Sequence, residues 1–371
     1  MNYLFGVENE LKNIDILNYD ILDSIADWVR VVDTTNTVIY ANRAMKREYD
    51  KDIVGKKCYS TKCGDHNSKN CITSRSIETG QIIQKEIVIR DKNYSAKASP
   101  IVNDSGEIIA AVEVFRDVTR EKKLEKELLE KNKIINNDLA LAKRIQNAIL
   151  PSNDDLEGVS FDYIYKASNT LSGDIFDIYD IGKNCVGVYI CDVAGHGVAA
   201  AIITMFIRQT MRTISHYGVS PSNTLSFLHQ KFCKLDLEAE YYFTMFYGIY
   251  DKDNKRFKYS NAGHNCIPFL YDDDNNIIML ESNGYPIVNI LKNIKYENKE
   301  VEVKAGDKIL LYTDGITEAK NKYGKEFGED RVKKLLLENR DDLLDQIVKK
   351  LNSFIYDEQM DDFAAVLIDI E

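Results

Sequence analysis

The chain has 371 residues, 44% of them hydrophobic and 29% charged, the composition of a folded globular protein with room for two domains. A formal net charge of −11 speaks against a nucleic-acid binder, since a phosphate backbone is held by an excess of cations. It favours acidic clusters that attract cations instead. No apolar run approaches the ~20 residues that span a bilayer. The stretch MNYLFGVENELKN lacks the basic start and apolar centre of a secretory signal, and seven cysteines in so long a chain make no disulfide framework. The expectation is a cytoplasmic protein with reduced thiols.

Three regions separate on pattern. Residues 15–118 alternate short β-rich runs (WVRVVD, VIYANRAM, KEIVIRD, YSAKASPIV, IIAAVEVFRDVT) with polar turns such as NDSGE. They predict an antiparallel sheet with a few short helices, an α+β domain. Residues 119–150 contain neither Gly nor Pro and predict one long charged helix, about 48 Å for 32 residues. Leu128, Ile135, Ala142 and Ile149 recur every seven residues, with Leu124 and Leu139 near the alternate seam positions. Two readings stand, a parallel coiled coil that makes the chain a homodimer and a lone amphipathic helix, because Asn132 and Gln146 interrupt the seam. Residues 151–371 mix helices with antiparallel strands. YYFTMFYGIYDKDNKRFKYSNAG reads as a hairpin, GDKILLYTDGITEA as a strand entering a turn, DDLLDQIVKKLNSFI as an amphipathic helix and DDFAAVLIDIE as a buried closing strand.

In this third region apolar runs repeatedly end in an Asp flanked by Gly or a second Asp. The instances are SGDIFDIY (Asp174), YICDVAGHG (Asp192), LLYTDGITEA (Asp314) and MDDFAAVLI (Asp361 and Asp362). Each alone is ordinary turn chemistry. Four carboxylates converging on one sheet edge would repel and raise one another's pKa unless a cation joined them. An all-oxygen donor set, without a Cys or His pair at metal spacing, points to hard ions such as Mg²⁺ or Mn²⁺.

The ordered series SGD, DVAGHGVAAA, FTMFYGIYD, SNAGHN, LLYTDGITEAKNKYGKEFGEDR and DDFAAVLI, from about residue 150 to the end, resembles the metal-dependent PPM-type serine/threonine phosphatases, most closely their SpoIIE/RsbU branch. The resemblance implies a β-sandwich flanked by helices, with two Mn²⁺ or Mg²⁺ ions at one end. Asp174, Asp192, Asp314 and Asp361 then match the metal-binding acids, with Asp362 the competitor for the last place. Val193 stands where this branch lends a backbone carbonyl, often from Gly. Two such ions ready a water for attack on phosphorus and hold phosphoryl oxygens in line. His196 is the residue to protonate the departing serine or threonine oxygen, or else a structural turn histidine. Gly195 and Gly197 are expected to permit the sharp strand-to-helix turn. His264 in SNAGHN is expected to position a loop.

Residues 16–120, ending in RDVT, resemble a PAS domain, which implies a sensor of small molecules, redox state or light that often dimerises. Trp28 is expected in its core or pocket lining. The insertion CYSTKCGDHNSKNC gathers Cys58, Cys63, His66 and Cys71 at a spacing unlike a standard zinc ribbon. It reads as a zinc or iron–sulfur site, a redox switch, or a polar loop with incidental thiols.

The expected fold is therefore α+β, with a PAS sensor domain (15–118), a helical linker (119–150) and a PPM-type phosphatase domain (151–371). The expected function is sensor-regulated dephosphorylation of a phosphoprotein, by analogy an anti-sigma-factor antagonist, without nucleic acid or a membrane span. The alternatives are an inactive PPM-fold scaffold, which the presence of all four acids disfavours, and a sensor carrying a nucleotide-handling domain. The lack of a GxxxxGK[ST] loop disfavours the latter.

Overall fold

A computed structural model of the chain describes residues 20–58, 71–152, 156–182, 184–214, 220–272, 276–338, 342–356 and 361–371. The chain divides into two compact units, Met1–Ile134 and Ile135–Glu371, and the division falls inside the long predicted helix.

In the first unit the predicted β-rich runs form β1 (Trp28–Asp33), β2 (Val38–Ala41), β3 (Ile83–Ile89), β4 (Lys92–Val102) and β5 (Ile108–Asp117). Two helices, α1 (Arg43–Glu48) and α2 (Ile72–Thr79), stand between β2 and β3. The strands make one antiparallel sheet in the order β2-β1-β5-β4-β3. Alternation along β4 turns Tyr94, Ala96 and Ala98 inward, and the small residues let the core close over them. Trp28 lies in that core, stacked on Tyr94 at 4.5 Å. Asn42 ties the start of α1 to the sheet. Its carboxamide oxygen accepts from the N–H groups of Val29 and Met45, and its nitrogen donates to three carbonyls of residues 22–27. A buried ion pair joins Arg30 on β1 to Glu113 opposite it on β5, and Thr73 of α2 donates to the same carboxylate. Helix α3 (Thr119–Ala148) follows β5 as a single run of 30 residues. Leu124, Leu128 and Ile135 are exposed on it.

The second unit holds two antiparallel sheets. One contains β7 (Asp174–Gly182), β8 (Cys185–Val193), β9 (Tyr242–Asp251), β10 (Arg256–Ala262), β13 (Ile287–Val288) and β14 (Lys299–Glu302). The other contains β6 (Val159–Lys166), β11 (Phe269–Tyr271), β12 (Ile277–Met279), β15 (Lys308–Tyr312) and β16 (Phe363–Ile370). The predicted hairpin is β9–β10, with Asp251 opposite Arg256. Period-two alternation assigns every side chain a layer. Phe176, Ile178, Val188, Ile190, Ile309, Leu311, Ala364 and Val366 fill the space between the sheets. The intervening residues face outward onto helices. Ile175, Tyr189 and Cys191 pack on α4 (Val198–Ile214) and α5 (Pro221–Cys233). Leu310, Tyr312, Ala365 and Leu367 pack on α7 (Glu329–Glu338) and α8 (Leu343–Phe354), which lie beyond the short turn α6 (Asp314–Thr317). The result is a four-layer helix–sheet–sheet–helix sandwich. No helix among the described residues is long and apolar enough to cross a membrane.

One outward position of β7 is not apolar. Asp177 is wholly buried, and Arg212 on α4 donates to both its oxygens at 2.7 Å while stacking its guanidinium 4.6 Å from the Tyr179 ring. This pair pins α4 to β7. Arg212→Met leaves Asp177 the Ile178 N–H and the longer 3.7 Å contact with the Arg208 guanidinium, and should cost about 3 kcal/mol in urea unfolding. The double variant Asp177→Asn/Arg212→Met should recover most of that loss.

Candidate active site

The site lies where the inward row of the sandwich runs out of apolar residues. Continuing the alternation by one step gives Asp174 at the start of β7 and Asp192 near the end of β8. It also gives Thr313 after β15 and Asp362 before β16. Asp174 and Asp192 are direct cross-strand partners. The two sheets are sewn together at this end, because the Thr313 hydroxyl donates to Asp174 Oδ2 at 2.7 Å and accepts from the Ala364 N–H at 2.9 Å.

Asp314 opens α6, half-buried, and Asp361 is exposed just ahead of Asp362. These carboxylates feel one another. Burial, then Asp192, holds the Asp174 carboxyl well above the usual range. Burial, with Asp314 and Asp361 next, pushes Asp192 up to about 7. Burial and then Asp361 raise Asp314, while Asp361 itself is raised mainly by burial, against a lowering contribution from His196 nearby. Glu318, unassigned from sequence, adds to the negative field on both Asp192 and Asp314. The donor set is all oxygen and carries excess buried negative charge, which is the chemistry a hard divalent cation fits. Among the described residues, no three His, Cys, Asp or Glu side chains are gathered closely enough to hold an ion as they stand.

The two adjacent acids have different surroundings. Asp362 is buried and spends its oxygens on the loop before β7, accepting from Ser168 N (2.7 Å), Ser168 Oγ (2.8 Å) and Gly173 N (2.6 Å). Asp361 accepts from the Asp362 N–H and otherwise faces the acids and His196. That division of labour is invisible in the dipeptide.

The DVAGHG turn supplies the remaining residues. Gly195 and Gly197 have φ of +90° and +85°, values that other residues rarely adopt. His196 between them is exposed. Val193 is buried, its N–H donating to the Gly173 carbonyl at 3.1 Å. Gly173 is needed for a different reason. A Cβ there would sit 2.9 Å from the Val193 carbonyl oxygen and 3.0 Å from that of Gly195. His264 is a positioning residue. Its Nδ1 accepts from the Thr244 hydroxyl, and its Nε2 donates to the Tyr312 carbonyl just ahead of Thr313 and Asp314. Burial lowers its pKa to about 4.

Gln146 in the last turn of α3, which interrupts the heptad seam, is buried. Its carboxamide makes a reciprocal pair with Ser172, accepting from its N–H (3.0 Å) and donating to its carbonyl (2.8 Å), and also reaches Thr204 on α4. Ser172 Oγ in turn accepts from the Asp174 N–H. The linker helix therefore ends on the segment that delivers Asp174. The signal available in sequence was the seam defect itself.

The cysteine cluster of the first unit is only partly described. Cys58 is buried, Cys71 half-buried before α2, and neither is in a disulfide. Cys63 and His66 lie outside the described residues.

Gln146→Ala should leave the Ser172 peptide groups unpaired and cost about 2 kcal/mol, read by urea unfolding. For His264 the folded pKa near 4 lies below that of a free histidine, so the unfolded chain takes up the proton first. Relative to His264→Gln, stability should be fully present at pH 7 and fall as pH drops below about 6.5. The deficit should reach about 2 kcal/mol near pH 5, measured by paired denaturation curves.

Comparison with known proteins bears on the two units. The family model described as stage II sporulation protein E (SpoIIE) matches residues 182–371, and one described as PAS fold matches residues 22–123. The phosphoserine phosphatase RsbP of Bacillus subtilis (strain 168) is 32% identical over 182 residues, covering 48% of this chain and 45% of that protein. RsbU of the same organism, also a phosphoserine phosphatase, is 27% identical over 191 residues, 51% of this chain and 56% of that protein. The chain thus spans about half the length of the curated relatives it matches. Among solved structures, the SiaA-PP2C domain of Pseudomonas aeruginosa superposes with a TM-score of 0.58 at 22% identity over 65% of this chain and 99% of that one. The PP2C phosphatase domain of SpoIIE with a fragment of its regulatory domain, from Bacillus subtilis, gives 0.51 at 16% identity, covering 83% of this chain and 75% of that one. The first unit has the PAS fold and the second the PP2C-type fold, as the sequence resemblance implied. By the match of its C-terminal half, the chain belongs to the SpoIIE family.

Proposed function

We propose that the chain is a sensor-regulated serine/threonine phosphatase acting on a phosphorylated regulatory protein. In this reading two Mn²⁺ or Mg²⁺ ions are held by Asp174, Asp192, Asp314 and Asp361, with the Val193 carbonyl as a further donor. The observation that carries the proposal is the placement of these acids at one end of a PP2C-type sandwich, where Asp192 and Asp314 raise the pKa of Asp174, and Asp314 and Asp361 that of Asp192. When bound, the ions would supply an activated water and a clamp for phosphoryl oxygens. The chain's own residues do the rest. Thr313 fixes the Asp174 carboxylate by its hydroxyl bond. Asp362 holds the Ser168–Gly173 loop in place and leaves Asp361 to face outward. The exposed His196 stands beside Asp361, placed to give a ring N–H proton to the departing serine or threonine oxygen. Asp192, Asp314 and Asp361 would be the oxygen donors nearest the open end of the sandwich.

RsbP and RsbU being phosphoserine phosphatases supports the substrate class, and an anti-sigma-factor antagonist is the proposed partner type. The PAS unit is the proposed sensor, and a parallel α3 pair in a cytoplasmic homodimer the proposed transmitter, ending in the Gln146–Ser172 bond.

Manganese-dependent hydrolysis of p-nitrophenyl phosphate and of a phosphoserine protein tests the activity. Asp192→Ala and Asp314→Ala should each lower it by more than the roughly 10–100-fold typical of outer-shell changes. Wild-type inactivity with manganese bound would instead establish a silent scaffold. Asp361→Asn should lose activity with its unfolding midpoint unchanged. Asp362→Asn should lose about 1–3 kcal/mol of stability as the Ser168 and Gly173 N–H groups lose their charged acceptor. Polar replacement of Leu128 and Ile135 should uncouple activity from the sensor while leaving the basal rate intact; unaltered regulation would refute the transmitter role.

A further inference from the structure

Within the PAS unit two thiols meet at a buried polar centre that phosphatase chemistry does not use. Cys58 lies beyond α1 and sits in the hydrophobic core, 3% exposed, with Trp28, Val38, Met45 and Ile53 in the same cluster. Cys71 caps the N-terminus of α2 and is half-buried. The two side chains are hydrogen-bonded to each other although both thiols are free. Arg30 and Glu113 lie beside Cys58, and Thr73, two residues after Cys71, donates to Glu113. The pair thus touches the network that joins α2 to β1 and β5, and β5 runs on into α3.

We propose that Cys58 and Cys71 form a two-electron redox site, a dithiol that closes to an intramolecular disulfide with hydrogen peroxide as oxidant. Contact between the sulfurs, burial of one thiol and access to the other fit an attacking and a resolving cysteine. The Cys58 hydrogen bond, as the leading cause, lowers the Cys71 thiol to about 4, which leaves it a thiolate, while the same contact and burial keep Cys58 protonated. The Cys71 sulfur attacks one peroxide oxygen and the O–O bond breaks, giving a sulfenic acid and hydroxide. Hydroxide takes up the proton that Cys71 released on ionising. The Cys58 sulfur then attacks the sulfenic sulfur, its proton leaves with the sulfenic oxygen as water, and the S–S bond forms. Both thiols together lose two electrons and peroxide becomes two waters.

The full-length protein, reduced and then treated with equimolar peroxide, should lose about two titratable thiols per chain, with recovery by dithiothreitol. Peptide mapping should find Cys58 joined to Cys71 in the wild type and equally in Cys63→Ser, but not in Cys58→Ser or Cys71→Ser. A bond to Cys63, a bond between chains, stoichiometric zinc or iron protecting these thiols from alkylation, or no thiol loss would each overturn the proposal. Because the wild type and Cys63→Ser keep both sulfurs, a folding failure of either pair variant leaves the test decisive.

Discussion

Like charges brought close together inside a fold have to be held there by something stronger than their repulsion. Asp174 lies fully inside the sandwich, opposite Asp192 on the neighbouring strand, with Asp314 and Asp361 around the open end. The cost of burying them is met by structure that does not ionise. Two sheets share one hydroxyl at Thr313, three N–H and O–H donors from a loop converge on Asp362, and apolar rows behind them fix each strand's height. The scaffold gives the acids their places, and their all-oxygen, negatively charged surroundings have the chemistry that a hard divalent cation fits.

The surroundings of Asp174 are not uniformly rigid. Strands β7 and β8 are clamped between two hydrophobic layers and offer little freedom, and β7 is further fastened to α4 by the Asp177–Arg212 pair. The approach to Asp174 is different. Residues 168–173 bury Leu171 but are otherwise polar or glycine, and side chains from elsewhere hold them: Asp362 from the strand side and Gln146 from the end of the long helix. A shift of the end of that helix would bear on Ser172 and, through its hydroxyl, on the Asp174 N–H.

The PAS unit shows a related economy. Its interior is mostly small and aromatic, and one of its buried polar groups, Arg30 with Glu113 and Thr73, joins β1, β5 and α2. A chemical change at one edge of such a group has few places to dissipate, because a buried ion pair cannot lose a partner cheaply.

Much of this was legible in the linear chain. Alternating apolar runs announced the strands, an uninterrupted charged stretch announced the helix, and repeated Asp–Gly edges in family order announced the acids and the sandwich. Periodicity and local turn chemistry are short-range properties, so a sequence states them directly. The division of duties between Asp361 and Asp362, the grip of Asp362 on residue 173, the bridge from Thr313 to Asp174 and the burial of Gln146 against Ser172 were decided only by tertiary structure. Each joins residues separated by 26 to 189 positions. Such pairings depend on which strand ends the fold brings to the same edge, and no local pattern encodes that.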